Sequence, residues 1–308
     1  MDGPVIYQHP LAYLLGLEGI ALLRAFAGAY GAAFTRARLD ETRALLDAAA
    51  ELGEGVEARP ITTRQGYAAW ARSYDEPGNQ LVDIEGPIVR EILDGLPVGV
   101  ALDAACGTGR HLEHLAAGGH EVVGVDSSAE MLAVARRKVP GATFHEAELD
   151  ALPLADASVD LVVCALALTH VPDIAPVFAE LVRVLRPGGH LVVSDSRGLI
   201  GDIGLPLVRV AADGSVGYMP TWSRLASDYL AVALPLGLQV RRCEEPHRPS
   251  PLLEAASPDR PEGTTMRPFV AGGPPDIWAL HGFVAEAANA AWHGNPVAIV
   301  WHFERPPG

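Results

Sequence analysis

Residues 98–132 read VGVALDAACGTGRHLEHLAAGGHEVVGVDSSAEML. Two apolar runs in this stretch, Val98–Leu102 and Val122–Val125, end at Asp103 and Asp126. Apolar runs without polar alternation are typical of parallel strands that are buried on both faces. A loop containing two glycines and a segment with helical periodicity lie between the runs. The stretch therefore predicts a strand, a loop, a helix and a second strand, which together form a βαβ unit.

The same spacing predicts where a ligand would bind. Open α/β sheets bind ligands beyond the carboxyl ends of their strands, where we expect both the loop after Asp103 and the side chain of Asp126. A carboxylate at that place can accept hydrogen bonds from a ribose diol, each contributing about 1.5–3 kcal/mol. A dinucleotide fingerprint needs a third glycine, but Leu112 stands there after Gly107 and Gly109. The pattern disfavours a nicotinamide cofactor and favours another nucleoside cofactor.

The composition describes a folded, acidic chain. Of its 308 residues, 49% are hydrophobic and 20% are charged, which is typical of a globular protein. The formal net charge of −15 would repel a phosphate backbone, so we expect no nucleic-acid partner. The three cysteines show no C-x-x-C spacing and indicate neither a metal site nor a disulfide framework, which fits a cytoplasmic location. The apolar N-terminal run contains charged residues, so we expect neither a signal peptide nor a membrane span.

Asp103, Gly107, Gly109 and Asp126 match the pattern D/E-x-G-x-G-x-G followed by an acid at the end of the next strand, with Ala105 at the first glycine. On these residues the chain resembles class I S-adenosylmethionine-dependent methyltransferases. The resemblance implies S-adenosylmethionine as the cofactor, with no metal. The residues that it implies for cofactor binding are Tyr74, Asp103, Ala105, Cys106, Gly107, Gly109, Asp126, Ser127, Met131, Glu148, Leu149 and Ala165.

Three further segments carry the resemblance. The run 66–75, GYAAWARSYD, is similar to the family's W-A-x-x-Y-D helix, whose tyrosine lines the cofactor site; the alternative is an ordinary packed helix face. The run 146–153, EAELDALP, resembles the segment that flanks the adenine, with a solvated acidic turn as the alternative. The tetrapeptide 186–189, RPGG, resembles the family's turn into its fifth strand, where Pro-Gly ends a helix.

The resemblance covers residues 63–195 closely and the remainder to 303 loosely. It implies an α/β fold, a Rossmann-like seven-stranded mostly parallel sheet flanked by helices, with an α-helical N-terminal extension. We expect a helical arm over 1–62, serving as a dimer contact or an active-site cover, and a methyltransferase domain over 63–308. Two long irregular stretches, 196–221 and 246–275, lie where such enzymes build acceptor pockets. Helices are predicted over 84–93, 129–137, 174–185, 222–234 and 276–292, strands over 142–145, 159–164, 238–243 and 296–303, and a linker over 53–63.

The resemblance implies transfer of a methyl group to a small-molecule acceptor by in-line displacement. O-methylation leads, C-methylation of an electron-rich ring follows, and N-methylation is third. An acceptor that loses a proton needs a base, for which His170 is the candidate, with packing or hydrogen bonding as its alternative role. Tyr67 is the second residue named for catalysis, since it could orient a polar or aromatic acceptor. The other classes considered are a non-methylating cofactor-binding protein on the same fold and a nicotinamide oxidoreductase. We expect a small, possibly aromatic acceptor, a homodimer and no membrane partner.

Overall fold

The computed structural model describes residues 3–76, 79–210, 215–248 and 277–308. The chain divides into two compact units, each made of separate stretches of sequence. The first unit takes in 1–60, 208–218 and 247–295, and the second takes in 61–207, 219–246 and 296–308. Two stretches of the predicted domain 63–308 thus group with residues 1–60 in these units.

The described residues form helices and strands in alternation over most of their length. The helices are α1 (Pro10–Phe26), α2 (Ala32–Asp47), α3 (Thr63–Trp70), α4 (Gln80–Asp94), α5 (Arg110–Ala117), α6 (Ala129–Lys138), α7 (Ala175–Val184), α8 (Leu199–Asp202), α9 (Ala226–Ala233), α10 (Ile277–Leu280) and α11 (Ala285–Trp292). The strands are β1 (Ile6–Gln8), β2 (Val56–Pro60), β3 (Val100–Ala104), β4 (Glu121–Asp126), β5 (Thr143–Glu146), β6 (Val159–Ala165), β7 (Leu185–Ser196), β8 (Leu207–Val210), β9 (Val216–Met219), β10 (Gln239–Glu244) and β11 (Ala298–Glu304). Short 3₁₀ helices cover Ala49–Leu52, Leu168–His170, Leu234–Leu236 and His281–Val284.

The second unit is built on a seven-stranded sheet with the order β10-β11-β7-β6-β3-β4-β5. The five strands from β7 to β5 pair in parallel, and β11 runs antiparallel to both of its neighbours. This arrangement confirms the predicted Rossmann-like, mostly parallel sheet. The carboxyl ends of β3, β4, β5 and β6 consequently lie at one edge, as the βαβ pattern predicts.

The core of this unit lies on both faces of the sheet, because successive side chains of a strand point to opposite sides. On one face Val162 and Val193 pack with Phe178 of α7. On the other face Val163 packs in a cluster with Leu112 of α5. Burial on both faces explains why these strands read as continuous apolar runs in the sequence.

The RPGG segment, 186–189, differs from its predicted form. It belongs to β7 in the structure, although the register between β6 and β7 shifts there and Leu161 pairs with His190. Gly188 has a φ of +81°, which glycine adopts without steric cost. No separate turn lies between the two elements, because α7 ends at Val184 and β7 begins at Leu185. The predicted turn is therefore an irregular insertion at the start of the strand.

The first unit contains the predicted N-terminal helices and a small sheet that was not predicted. Its four strands have the order β1-β2-β9-β8, with β1 and β2 antiparallel and β2 and β9 parallel. Strand β2 lies in the stretch 53–63 that we interpreted as a linker. It pairs through Arg59 and Pro60 with Gly217 and Tyr218, and a partner so distant in sequence leaves no local signal.

Two other predicted stretches need correction. The region 196–221 contains α8, β8 and β9 rather than irregular chain, and these short elements are below the length at which periodicity is readable. The predicted helix over 276–292 is broken by the 3₁₀ turn His281–Val284, which contains Gly282. Most of 246–275 lies outside the described residues. None of the helices in the described ranges is long and apolar enough to cross a bilayer.

Candidate active site

The loop after β3 turns tightly because three of its residues have left-handed backbone conformations. Ala105, Gly107 and Gly109 have φ values of +61°, +53° and +84°. Holding a Cβ in this region costs about 1–2 kcal/mol, so Ala105 is the strained member. A Cβ added to Gly109 would lie 3.2 Å from the Cβ of Ala135 on α6. The glycine at 109 therefore allows close packing of the loop against this helix.

Asp126 ends β4 and connects the loop to the start of the next helix. Its Oδ2 accepts a hydrogen bond from the backbone N–H of Gly107 at 2.8 Å, and its Oδ1 accepts one from Ser128 N at 2.8 Å. Burial raises the pKa of this carboxyl above its usual range, while the two backbone donors act against the rise. Each oxygen accepts one bond here and retains capacity for another acceptor interaction, such as a bond from a ligand hydroxyl.

A cavity of about 460 Å³ opens at this edge of the sheet, within the size range of small-molecule sites. The residues that line it lie at or after the carboxyl ends of β3, β4, β5 and β6, on α3, α6 and α7, or, for Tyr74, in the turn after α3. They are Thr63, Arg64, Tyr67, Tyr74, Ala105, Gly107, Asp126, Ser127, Ser128, Met131, Ala147, Glu148, Leu149, Asp150, Ala165, Leu166, Ala167, His170, Val171, Pro172, Asp173 and Val177.

Most of the residues predicted for the site therefore face one cavity. The members of the predicted set on its wall are Tyr67, Tyr74, Ala105, Gly107, Asp126, Ser127, Met131, Glu148, Leu149, Ala165 and His170. Asp103, Cys106 and Gly109 are absent from the lining. Cys106 is buried with its N–H bonded to Val125 O, and its thiol pKa is raised well above the usual value by burial.

Asp103 lies beneath the loop rather than on the cavity wall. It is 2% exposed, and its Oδ2 has no hydrogen-bond partner among the described residues. Burial raises its pKa to about 7, opposed by the charge of Arg110. A buried carboxyl in this condition is stabilised in its charged form by a nearby cation.

Tyr67 and His170 form a hydrogen-bonded pair on the opposite wall. The hydroxyl of Tyr67 lies 3.1 Å from Nε2 of His170, and Nδ1 of His170 lies 3.1 Å from the carbonyl oxygen of Pro220. Because a carbonyl oxygen only accepts, Nδ1 carries the proton, and the neutral ring then accepts from Tyr67 at Nε2. This arrangement leaves a basic nitrogen directed at a phenol on the cavity wall.

The segment that follows α3 is hydrogen-bonded to the loop after β3 and to α6. Asp75 accepts hydrogen bonds from Thr108 Oγ1 at 2.7 Å and from Lys138 Nζ at 2.8 Å. Immediately before it, Tyr74 packs edge-on against Trp70 with ring centroids 4.9 Å apart, and burial raises the pKa of its hydroxyl. Tyr67 and Tyr74 line the cavity and also pack with Trp70, although the helix ends at Trp70 and Tyr74 lies in the turn after it.

A buried polar network supports the loop from below. Glu85 of α4 accepts from Ser194 Oγ at 2.6 Å and pairs with Arg110 at 2.9 Å. Burial alone would raise the pKa of Glu85, but the neighbouring His111, whose Nε2 lies 3.4 Å from Oε1, and the charge of Arg110 lower it to about 2. A charged Glu85 thus connects α4 and β7 to the first turn of α5.

The charges around the cavity are mostly negative. Its wall carries the carboxylates of Asp126, Glu148, Asp150 and Asp173. Arg64 is the one guanidinium among the lining residues just given, and its Nη2 lies 3.5 Å from Glu148 Oε1. So little positive charge suits a cationic or neutral ligand and does not suit a pyrophosphate.

Several lining residues were missed by the sequence analysis. Ser128 could have been found, because it directly follows the motif and caps α6 by accepting from Met131 N. Leu166 could not have been found, because nothing in the sequence indicates that this leucine has a left-handed backbone conformation with a φ of +54°. Arg64 and Asp173 lie on elements that approach the cavity only through the fold, and no local pattern marks them.

The comparison with protein families matches residues 102–193 to the family described as a methyltransferase domain. Residues 102–193 are therefore similar to a methyltransferase domain. The matched range contains the loop, Asp126 and the 3₁₀ turn with His170, so it contributes most of the cavity. Tyr67 and Tyr74 also line the cavity but precede the matched range in the chain.

Curated relatives match this chain in sequence over part of their length. The demethylmenaquinone methyltransferase of Renibacterium salmoninarum is 38% identical over 108 residues, covering 35% of this chain and 46% of that protein. The malonyl-(acyl-carrier protein) O-methyltransferase of Pectobacterium atrosepticum is 40% identical over 125 residues, covering 40% and 44%. The chain thus spans less than half the length of each of these two relatives.

A solved structure has a similar fold over a longer part of this chain. The DhpI–SAH complex structure superposes with a TM-score of 0.51 at 20% identity, covering 79% of this chain and 94% of that chain. At this level of identity the likeness concerns the fold alone.

Proposed function

We propose that this chain binds S-adenosylmethionine in the 460 Å³ cavity and transfers its methyl group to a small-molecule acceptor, at oxygen or at carbon. The carrying observation is that Asp126 and the hydrogen-bonded pair of Tyr67 and His170 line the same cavity. The methyltransferase-domain match and the printed names of the two relatives support the reaction class.

The residues present fit the cofactor. Asp126 would accept from the ribose hydroxyls, and the unpartnered buried Oδ2 of Asp103 supplies negative charge behind the loop. The cationic sulfonium of S-adenosylmethionine, when bound, supplies an activated methyl group. The low positive charge of the wall argues against the nicotinamide alternative, whose pyrophosphate would face Glu148 and Asp150.

His170 and Tyr67 would manage the proton of the acceptor. In the neutral ring with Nδ1–H bonded to Pro220 O, the lone pair at Nε2 can take a proton directly or through the Tyr67 hydroxyl. Holding the reactants in line in a dry cavity can supply about 7–11 kcal/mol of the barrier. A weakly acidic hydroxyl or carbon acceptor needs both contributions.

An aromatic acceptor is the class we favour. The rings of Tyr67 and Tyr74 line the cavity, and stacking on Trp70 at 5.9 Å between centroids supports the ring of Tyr67. The relative named as a demethylmenaquinone methyltransferase has a quinone in its printed name, which supports this class. Pro220 supports the proposal that 196–221 contributes to the acceptor side, and 246–275 remains a proposal that falls largely outside the described residues.

Methyl transfer itself tests the proposal. Incubation with methyl-labelled cofactor and a panel of phenols, indoles and quinols should yield S-adenosylhomocysteine in step with a labelled product. A protein that binds the cofactor without methylating anything would bind S-adenosylhomocysteine and form none with any compound. His170→Ala should lower turnover without weakening cofactor binding, and an unaltered rate would remove His170 as the base.

We also propose that the chain forms a homodimer through α1. Its Leu23 and Phe26 are 69% and 93% exposed, which is unusual for large apolar side chains at neighbouring positions of a helix. Phe26→Glu should convert a dimer to a monomer in light scattering, and a monomeric wild type would refute the dimer. The free thiols of Cys106, Cys164 and Cys243 support a cytoplasmic location.

A further inference from the structure

The turn that carries His170 is held by side chains that do not line the cavity. Arg224, 7% exposed, donates from Nη1 to the carbonyl oxygen of Leu168 at 2.7 Å and from Nη2 to that of Val171. These two carbonyls stand at the two ends of the turn 168–171. One guanidinium therefore spans the turn, because its planar fork donates to the two carbonyls from two different nitrogens.

A second buried group fixes the middle of the same turn. Asp195 at the end of β7 is 1% exposed, and its Oδ1 accepts from the backbone N–H of Thr169 at 3.0 Å. Its Oδ2 accepts from the hydroxyl of Tyr229 at 2.7 Å and lies 3.9 Å from Arg224 Nη1. The carboxylate and the guanidinium are thus adjacent, and each bonds the turn directly.

The partner of the His170 ring lies on the segment that carries Arg224. Pro220 O receives the Nδ1 proton, and Trp222 N donates to Thr169 O at 2.8 Å. The segment 220–224 therefore contacts the turn through its backbone, through the imidazole and through the guanidinium. Displacing Arg224 would change the distance between the ring and the carbonyl that sets its tautomer.

We propose that Arg224 and Asp195 are positioning residues, which hold the turn 168–171 so that His170 keeps its proton on Nδ1 and its lone pair directed at Tyr67. The proposal rests on the proposed function, in which His170 takes the acceptor's proton. Neither residue touches the cavity, so both act through His170. A displacement of about 1 Å at a reacting group can cost about 10²-fold in rate, which makes rigid support of the turn valuable.

Arg224→Lys tests the proposal, with Arg305→Lys as the matched control. Arg305 likewise donates to two backbone carbonyls, those of Val182 and Leu185, but far along the chain from the turn. Nitrogen NMR of the imidazole of His170 in the full-length protein reads the tautomer directly. We expect a single Nδ1–H tautomer in the wild type and in Arg305→Lys, and a mixture of tautomers in Arg224→Lys.

Kinetics provide the second measurement. In Arg224→Lys we expect kcat to fall about tenfold to a hundredfold, with the KM of S-adenosylmethionine and the affinity for S-adenosylhomocysteine unchanged. Where Arg224→Lys does not fold, Tyr229→Phe removes one bond to Asp195, and we expect the same changes in smaller degree. A folded Arg224→Lys or Tyr229→Phe with the wild-type tautomer signature would overturn the proposal.

The two proposals fail differently. If the wild type forms no S-adenosylhomocysteine with any acceptor, the proposed function is contradicted, yet the tautomer of His170 still shows whether Arg224 positions the ring. If methyl transfer is observed and the tautomer is insensitive to Arg224, only the positioning role is lost.

Discussion

Gly109 is the residue at which backbone conformation and packing impose the same requirement. Its φ is +84°, and an added Cβ would meet the Cβ of Ala135 at 3.2 Å. We predict that Gly109→Ala lowers the free energy of unfolding by about 1–2 kcal/mol, because a side chain in the left-handed region costs that much. Denaturant titration measures the change.

Gly141→Ala is the control for this substitution. A Cβ at Gly141 meets no atom within 4 Å, and its φ is not in the left-handed region. We expect stability close to that of the wild type. Equal stability of the two variants would contradict the conformational role of Gly109.

At the residue scale the sequence identifies site residues that belong to a local motif. It misses residues that are far from the motif in sequence and reach the site only through the fold. Asp126 and Gly107 were found because a carboxylate at a strand end and a glycine loop are local patterns. Asp103 was predicted to bind the cofactor, and the structure places it at 2% exposure and outside the cavity lining. Arg224 had no signal, because its contacts are to backbone carbonyls over fifty positions earlier.

At the element scale, α3 owes its start to Thr62. The Thr62 side chain accepts from Gln65 N at 3.1 Å, and the Gln65 side chain accepts from Thr62 N at 3.0 Å, which forms a capping box. We predict that Thr62→Ala destabilises this helix by about 1 kcal/mol and speeds hydrogen exchange in its amides. Because α3 presents Arg64 and Tyr67 to the cavity, the KM of the acceptor should rise as well.

Thr35→Ala is the control for the cap. Thr35 bonds back to Gly31 O within α2 and caps no helix in this way. We expect no change in exchange over α3. Unaltered exchange in α3 of Thr62→Ala would show that packing, and not the cap, maintains the helix.

The pair of helices α1 and α2 contains a buried carboxyl whose titration should be measurable. Glu18 is 1% exposed and lies 3.2 Å from Arg38, and burial raises its pKa from 4.5 to about 8. The folded state therefore holds a proton that the unfolded state releases between these values, so stability should fall as the pH rises from about 4.5 to 8. We predict that the free energy of unfolding of Glu18→Gln falls by at least about 1 kcal/mol less than that of the wild type over this pH range.

Denaturant unfolding at pH 5.5 and pH 8 measures this effect, with Asp40→Asn as the control. Asp40 is an exposed carboxyl on α2 that pairs with Arg43. The Asp40→Asn variant should show the same pH dependence of its free energy of unfolding as the wild type. A Glu18→Gln variant with the same pH dependence as the wild type would show that Glu18 is ionised in the folded state.

At this scale the long buried strands and amphipathic helices of the second unit were predictable, and the short strands were not. Strands β3, β4 and β6 have apolar runs that report burial on two faces. Strand β9 has only four residues, and its partner β2 lies more than 150 positions earlier, so its pairing depends on contacts that no local window contains.

At the scale of the whole molecule, the chain passes between its two units several times. The stretches 208–218 and 247–295 return to the unit begun by the N-terminal arm. Sequence reasoning divides a chain into consecutive domains unless a composition change marks the return, and none does here. The seven-stranded, mostly parallel sheet of the second unit was predictable because the resemblance implies it, whereas the membership of the first unit depends on tertiary contacts alone.

The central claim is that the cavity at the ends of β3 and β4 is a site for S-adenosylmethionine. Calorimetric titration of S-adenosylhomocysteine into the wild type, Asp126→Asn and Asp160→Asn tests it most directly. Asp160 also accepts a backbone bond, from Val100 N at 2.8 Å, but it is absent from the cavity lining. We predict binding to the wild type and Asp160→Asn, and binding about tenfold to a hundredfold weaker to Asp126→Asn. No heat of binding with the wild type, or equal affinity in all three proteins, would contradict the account.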